Sequence, residues 1–170
     1  LVSPGSGFRK IAESEFEINP SEGEDLDRLF KEAACGEAAR GTAAPTAVVH
    51  LWSLDNRSDA VEYDAEKLMH TQVLGSECVP GVVRAIAAAN WESPPRLWLV
   101  TAGAMMPDSR DVLPRIENAT MWGIGSTVAR EHAELRTTLV DLSSAPESRE
   151  ARALALQIRA GGKEDRLALR

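Results

Sequence analysis

Three short apolar runs, separated by helix-length segments, constrain this chain more than any other feature. They are TAVVHLW (Thr46 to Trp52), RLWLVT (Arg96 to Thr101) and TTLVDL (Thr137 to Leu142). The first alternates little between apolar and polar residues, so both its faces read as buried; the second reads as another buried strand and the third as a strand. Strands separated by helices pair in parallel through right-handed crossovers. The expected fold is therefore α/β: a small doubly wound sheet of three to four mainly parallel strands, with helices on both faces.

The intervening segments carry helix signals. Ser21 to Glu24 fits an S-x-x-E capping box, and Leu26, Leu29, Phe30 and Ala33 follow at helical spacing. That predicts a helix from Glu24 to Ala39, stopped by Gly41 and Pro45. Asn56 to Asp59 is polar. Leu68, Gly75, Val79, Val82 and Ile86 mark a helical face running up to Asn90. Pro80 removes a backbone donor there, which predicts a kink or two helices meeting between Gly75 and Pro80. Gly103 to Pro114 reads as a loop. Met121, Gly125, Val128 and His132 share a face of another helix, with Asn118 or Thr120 as its cap. Ser144 to Glu147 is a second capping box. It opens a last helix with Ala151, Leu154, Ala155 and Ile158 inward, ended by Gly161 and Gly162. Arg166 to Leu169 suits a short final strand. Residues 1–19 read as a linker or a short N-terminal strand, in which Phe16 and Ile18 alternate with polar residues. Residues 20–170 read as one domain.

Composition narrows the function. The 170 residues are 44% hydrophobic, enough for a folded core, and carry a net charge of −7. An acidic surface repels phosphate backbones and anionic lipid, so nucleic acid and membrane are not expected partners. No apolar run approaches the roughly 20 residues that span a bilayer. The first residues show no basic start followed by an apolar stretch, so no signal peptide is read there. The missing initial Met suggests a piece of a longer polypeptide. Cys35 and Cys78 lie far apart and read as reduced thiols of a cytoplasmic protein. His50, His70 and His132 lack metal-site spacing, and no metal is expected.

Several residues invite a chemical reading. Gly123-Ile124-Gly125 begins a G-x-G-x-x-G pattern, but Val128 stands where its third glycine belongs. The residues before it, Asn118 to Trp122, do not read as a strand, so a helix approaching a sheet closely is the better account. Tyr63 and Lys67 match the Y-x-x-x-K pair of short-chain reductases, one helical turn apart. No glycine-rich loop precedes them, and a helix start with a solvated lysine explains them more simply. Asp55 and Asp141 lie at strand ends, where open α/β sheets bind ligands. They could form an acidic site with Ser53 or Thr101, cap the next helix, or hold loop amides. His50 sits within an apolar strand, as a core or interface histidine would. His132 falls near a helix end, where positive charge is favoured. Trp52 and Trp98 fall in strands and Trp122 opens a helix. With Trp91, they read as packing residues of the sheet–helix layers, and one face could be an interface.

VVHLWSLD (Val48 to Asp55), LWLVTAGA (Leu97 to Ala104) and WGIGSTVAREHAELRTTLVDL (Trp122 to Leu142) together resemble a known family. They are similar, in order, to the first half of a ketoreductase domain from a modular polyketide synthase. EDRLALR (Glu164 to Arg170) resembles that half's exit. Ala102 stands where the family often has a basic residue, and Ala133 replaces a proline. The resemblance implies a truncated Rossmann-like structural subdomain with no catalytic or cofactor-binding residue of its own. NADPH and the catalytic serine and tyrosine would belong to a second half. The implied partners are that catalytic half and neighbouring synthase domains. Two other readings remain open: a scaffold within a pseudo-ketoreductase, and a free-standing α/β protein binding a small ligand through Asp55 and Asp141.

Overall fold

A computed structural model describes residues 1–38, 45–55, 65–107 and 114–170. Gly41, the segment from Asn56 to Asp59, and Tyr63 lie outside them.

The expected parallel sheet is present. Strands β4 (Ala47–His50), β5 (Arg96–Ala102), β6 (Thr138–Leu142) and β7 (Arg166–Ala168) run in the order β4-β5-β6-β7, all parallel. β5 and β6 are central, and nearly every residue in them is buried. β4 is an outer strand, so Ala47, Val48 and Val49 are only half-buried, against the expectation of burial on both faces. Trp52 lies just past β4, in a 3-10 turn over Trp52–Leu54.

The N-terminal arm contains more than a single strand. β1 (Val2–Pro4), β2 (Arg9–Ala12) and β3 (Glu15–Ile18) form a separate three-stranded sheet in the order β1-β3-β2. Ile18 anchors it, fully buried against Leu26, Leu29 and Phe30 of α1 (Gly23–Ala38). The Ser21 capping box is not what starts α1. Asp25, in the first turn of the helix, instead accepts the Asn19 amide at 2.9 Å.

The segment around Pro80 resolves into two helices, α2 (Ala65–Leu74) and α3 (Val79–Ala88), with the proline in the first turn of α3. There its missing N–H leaves no broken bond. α4 (Ile116–Glu131) begins earlier than its apolar face implies, so Trp122 lies in its second turn. Neither Asn118 nor Thr120 caps it. Asn118 is buried and donates its side-chain amide to the Ala102 carbonyl at 2.9 Å, tying α4 to β5. α5 (Ser148–Ala160) also starts later than expected. Its capping box is Glu147 with Glu150, and it ends on Gly161 at φ +61°. Leu154 is buried and Ile158 packs beside it, while Ala151 and Ala155 are exposed.

Helices cover both faces of the sheet. Leu97, Leu99 and Leu139 face α3 and α4, with α1 stacked beyond α3. Trp98, Val100, Val140 and Leu142 face the other way, toward Leu154 of α5. The strand order advances in one direction throughout, yet α5 lies on the opposite face from α3 and α4. The β6-α5-β7 crossover therefore has the opposite hand to the two before it, contrary to the expectation of right-handed crossovers throughout. Leu154 and Ile158 set this, because the apolar surface of Trp98, Val100 and Val140 is what they cover.

Candidate functional site

The change of face creates the place where a ligand would be expected. The chain leaves β5 toward α4 on one side and leaves β6 toward α5 on the other. Adjacent strand ends whose connections diverge in this way open a crevice at the carboxyl edge, where α/β folds bind ligands. Thr101 and Asp141 are directly paired there in the β5–β6 register.

The crevice is filled from within. Asp141 is fully buried, and its carboxylate accepts from the Thr101 hydroxyl at 2.7 Å and the Ala104 amide at 2.8 Å. Its second oxygen accepts from the Met105 amide at 3.1 Å and Arg170 Nη2 at 3.0 Å. Arg170 also donates to the carbonyls of Asp141 and Met105, at 3.0 and 3.1 Å. Trp122 extends the network, its indole N–H reaching Thr101 Oγ1 at 3.1 Å. Gly103, at φ +67°, turns the chain so that its amide meets the Leu142 carbonyl at 2.9 Å. A carboxylate holding four donors has its hydrogen-bonding capacity taken up. It binds loop amides, one of the roles open to it from sequence.

Asp55 does not join this cluster. It is exposed at the end of the 3-10 turn, and Ser53 is buried with its hydroxyl donated to the Val100 carbonyl. The acidic site of Asp55, Asp141 and Ser53 is not assembled. Sequence reasoning missed Arg170, which closes the crevice, and the tie that Asn118 makes between α4 and β5. Asp141 within an apolar strand was the available signal, since a buried carboxylate requires donors from elsewhere in the chain.

The glycine pair does not suit a dinucleotide. Gly123 and Gly125 lie in the middle of α4, where their amides belong to the helix, so no loop presents free amides to a pyrophosphate. A Cβ on Gly125 would come within 2.5 Å of Leu139 Cδ2 and 3.0 Å of Leu99 Cδ1, which shows what this glycine is for. It lets α4 approach the sheet. Lys67 is exposed in the first turn of α2.

His50 is a core residue. It is buried, its Nε2 lies 3.1 Å from Cys78 Sγ, and Trp52 packs edge-on at 5.7 Å. Burial lowers its pKa from 6.5 to about 4, with a smaller opposing effect from its own backbone. Burial also pushes the Cys78 thiol up to about 12. The pair is therefore neutral at pH 7, with no thiolate to act as a nucleophile. His132 caps the end of α4, with Nδ1 3.1 Å from Glu134 Oε1. Among the described residues no cluster of three or more metal-ligating side chains occurs, and no helix is long and apolar enough to cross a membrane.

Comparison with known proteins agrees with this geometry. Residues 10–170 match the family described as polyketide synthase extender module SpnB, Rossmann fold domain. Polyketide synthase GfsA of Streptomyces halstedii is 35% identical over 89 residues, covering 52% of this chain and 1% of that protein. Pikromycin polyketide synthase component PikAIII of Streptomyces venezuelae is 34% identical over 96 residues, covering 55% of this chain and 6% of that protein. The chain thus spans a small part of these relatives. Among solved structures, a C2-type ketoreductase from a modular polyketide synthase superposes with a TM-score of 0.69 at 27% identity. That match covers 92% of this chain and 31% of the other. A multidomain structure containing adenylation and ketoreductase domains, from a keto acid-selecting NRPS module, shares the fold with a TM-score of 0.80 at 23% identity. It covers 99% of this chain and 14% of that one.

Proposed function

The chain belongs to the Rossmann-fold domain family of polyketide synthase extender modules, and from that premise we propose that it is the non-catalytic structural half of a ketoreductase. In this reading it braces a second half, which binds NADPH and reduces the β-keto group of a carrier-protein-bound polyketide. Its partners are that catalytic half and the neighbouring synthase domains, in the cytoplasm. One observation carries the proposal: the crevice where a cofactor would sit is closed by Asp141, Thr101, Ala104, Met105 and Arg170. A sheet of this architecture with its ligand crevice closed has packing surface left to offer.

Mixing tests the reading. Residues 1–170, added to a separately produced catalytic half, should raise that half's melting temperature or its rate of ketone reduction. Calorimetry of residues 1–170 alone with NADPH should show no saturable binding. A catalytic half equally stable and active with and without this chain would refute the bracing role and favour the pseudo-ketoreductase scaffold. Micromolar NADPH binding by this chain alone would refute the non-catalytic assignment.

A further inference from the structure

A groove of about 1170 Å³ runs along the outer side of β4, between the four-stranded sheet and the N-terminal three-stranded sheet. It is separate from the crevice closed by Asp141. Leu26, Leu29 and Phe30 line it on one side of β4, and Val49 and Leu54 on the other.

The backbone of β4 sets what the groove can hold. Arg96 donates its amide to the Thr46 carbonyl at 3.0 Å, and Ala47 is paired with Arg96 in register. The backbone N–H and C=O of one strand residue point to the same side, and successive residues alternate. That parity turns Thr46, Val48 and His50 toward β5. It turns the N–H and C=O of Ala47 and Val49 outward, into the groove. Among the described residues no strand pairs with β4 on that side. The facing edge of β1 differs. By the same parity Val2 and Pro4 point outward there, since Phe16 donates to the Leu1 carbonyl and Gly5 to that of Ile18. The Val2 carbonyl accepts the Trp52 indole at 3.2 Å, and Pro4 has no N–H to give. Among the described residues one edge of the groove is blunted and the other is open.

The geometry points to β4 as the docking edge for an extended strand from the part of the synthase polypeptide outside residues 1–170. Two donors and two acceptors, two residues apart, match a polypeptide backbone in strand conformation. Apolar side chains on both sides of β4 suit a strand that is apolar on both faces. In the proposed function the catalytic half supplies it, and this chain spans 31% of the ketoreductase it superposes on. The inference rests on the proposed bracing function and names the surface through which it acts.

Hydrogen exchange at the Ala47 and Val49 amides tests it, measured in residues 1–170 alone and in the parent synthase polypeptide. Both amides should exchange freely in the isolated chain and about tenfold or more slowly in the parent. Ala47→Pro, which removes an outward donor and leaves the β5 ladder intact, should keep the isolated chain's melting temperature. In the parent it should restore fast exchange at Val49. Equal exchange in both settings overturns the inference, whether both are fast or both protected. Protection that grows with the concentration of residues 1–170 overturns it in favour of a second copy of this chain. If this chain stabilises the catalytic half while Val49 stays unprotected in the parent, the docked strand is wrong and the bracing function stands. If Val49 is protected but the catalytic half gains nothing, the strand stands and the bracing is wrong.

Discussion

Asp141 concentrates more interactions than any other side chain at the carboxyl edge of the sheet. Its carboxylate satisfies two backbone amides, the Thr101 hydroxyl and Arg170, so removing it strands four donors at once. Asp141→Ala should cost about 3–5 kcal/mol, the range for breaking a buried ion pair by removing one partner. Asp141→Asn should cost less, because it keeps one acceptor oxygen. Urea denaturation midpoints of the two variants check the order. His50 makes a separate prediction about pH. Its folded pKa, about 4, lies below the ordinary 6.5, so the unfolded chain takes up the proton first as pH falls. Stability should therefore decline between pH 6.5 and 4, by up to about 3 kcal/mol from this group, and gain nothing further from it above pH 6.5. His50→Gln should flatten that part of the stability–pH curve. Glu150 acts in a more acidic window. Burial opposes its ionisation, but the amides of Glu147 and Ser143, with the Ser143 hydroxyl, outweigh this and hold its carboxyl below the ordinary glutamate range. Its contribution is complete above the unfolded value and is lost as pH falls through the lower, folded one. Denaturation of wild type and Glu150→Gln across pH 5 to 3 separates it from His50.

At the scale of elements, α4 shows why two glycines two residues apart have different roles. Gly125 faces Leu139 and Leu99, and any side chain there must push α4 off the sheet. Gly125→Ala should destabilise by about 1–3 kcal/mol. Gly123 faces open space, so Gly123→Ala should be neutral or stabilising by about 0.5–1 kcal/mol through helix propensity alone. If both substitutions left the melting temperature unchanged, the packing account of this motif would fail. The tryptophans divide in a similar way. Trp98 is 1% exposed in β5, sandwiched under α5 with the Arg96 guanidinium 4.6 Å above its ring. Trp98→Ala should cost about 3–5 kcal/mol. Trp122 is half-buried and gives up one hydrogen bond, so Trp122→Ala should cost clearly less. A thermal melt in which Trp122→Ala is the more damaging would reverse this assignment of the core.

At the scale of the whole molecule, the two faces of the sheet are unequally covered. One carries α3 and α4 with α1 beyond them, and the other carries α5 over β6 and β7. Arg96 stitches the amino end together, donating to Thr138 Oγ1 at 2.6 Å and to the carbonyls of Arg136 and Glu164 at 3.1 and 3.0 Å. Arg170 does the same at the carboxyl end. Both ends of the sheet are therefore tied by arginines to backbone carbonyls, and among the described residues no strand pairs with the outer side of β4. Such a molecule has its unsatisfied surface at an edge, which is where an associating half would act.

Much of this was legible in the sequence. The apolar runs marked β4, β5 and β6, and in the two central strands β5 and β6 the runs match near-complete burial. The proline rule marked a break near Pro80, a kink or a junction of two helices, and the structure has two helices with the proline in a first turn. The motif order from Val48 to Leu142 pointed to the family. Other features depended on contacts between residues far apart in the chain. Strand sequences do not record which strand is outermost, so the half-exposure of β4 was invisible. The second capping box lies at Glu147 with Glu150 rather than at Ser144, because several residues near that helix start were eligible, and at α1 Asp25 holds the Asn19 amide instead. The face taken by α5 was decided by the match of Leu154 to Trp98 and Val140. The fate of the ligand crevice was decided by Asp141 meeting Arg170, two residues that no local pattern connects.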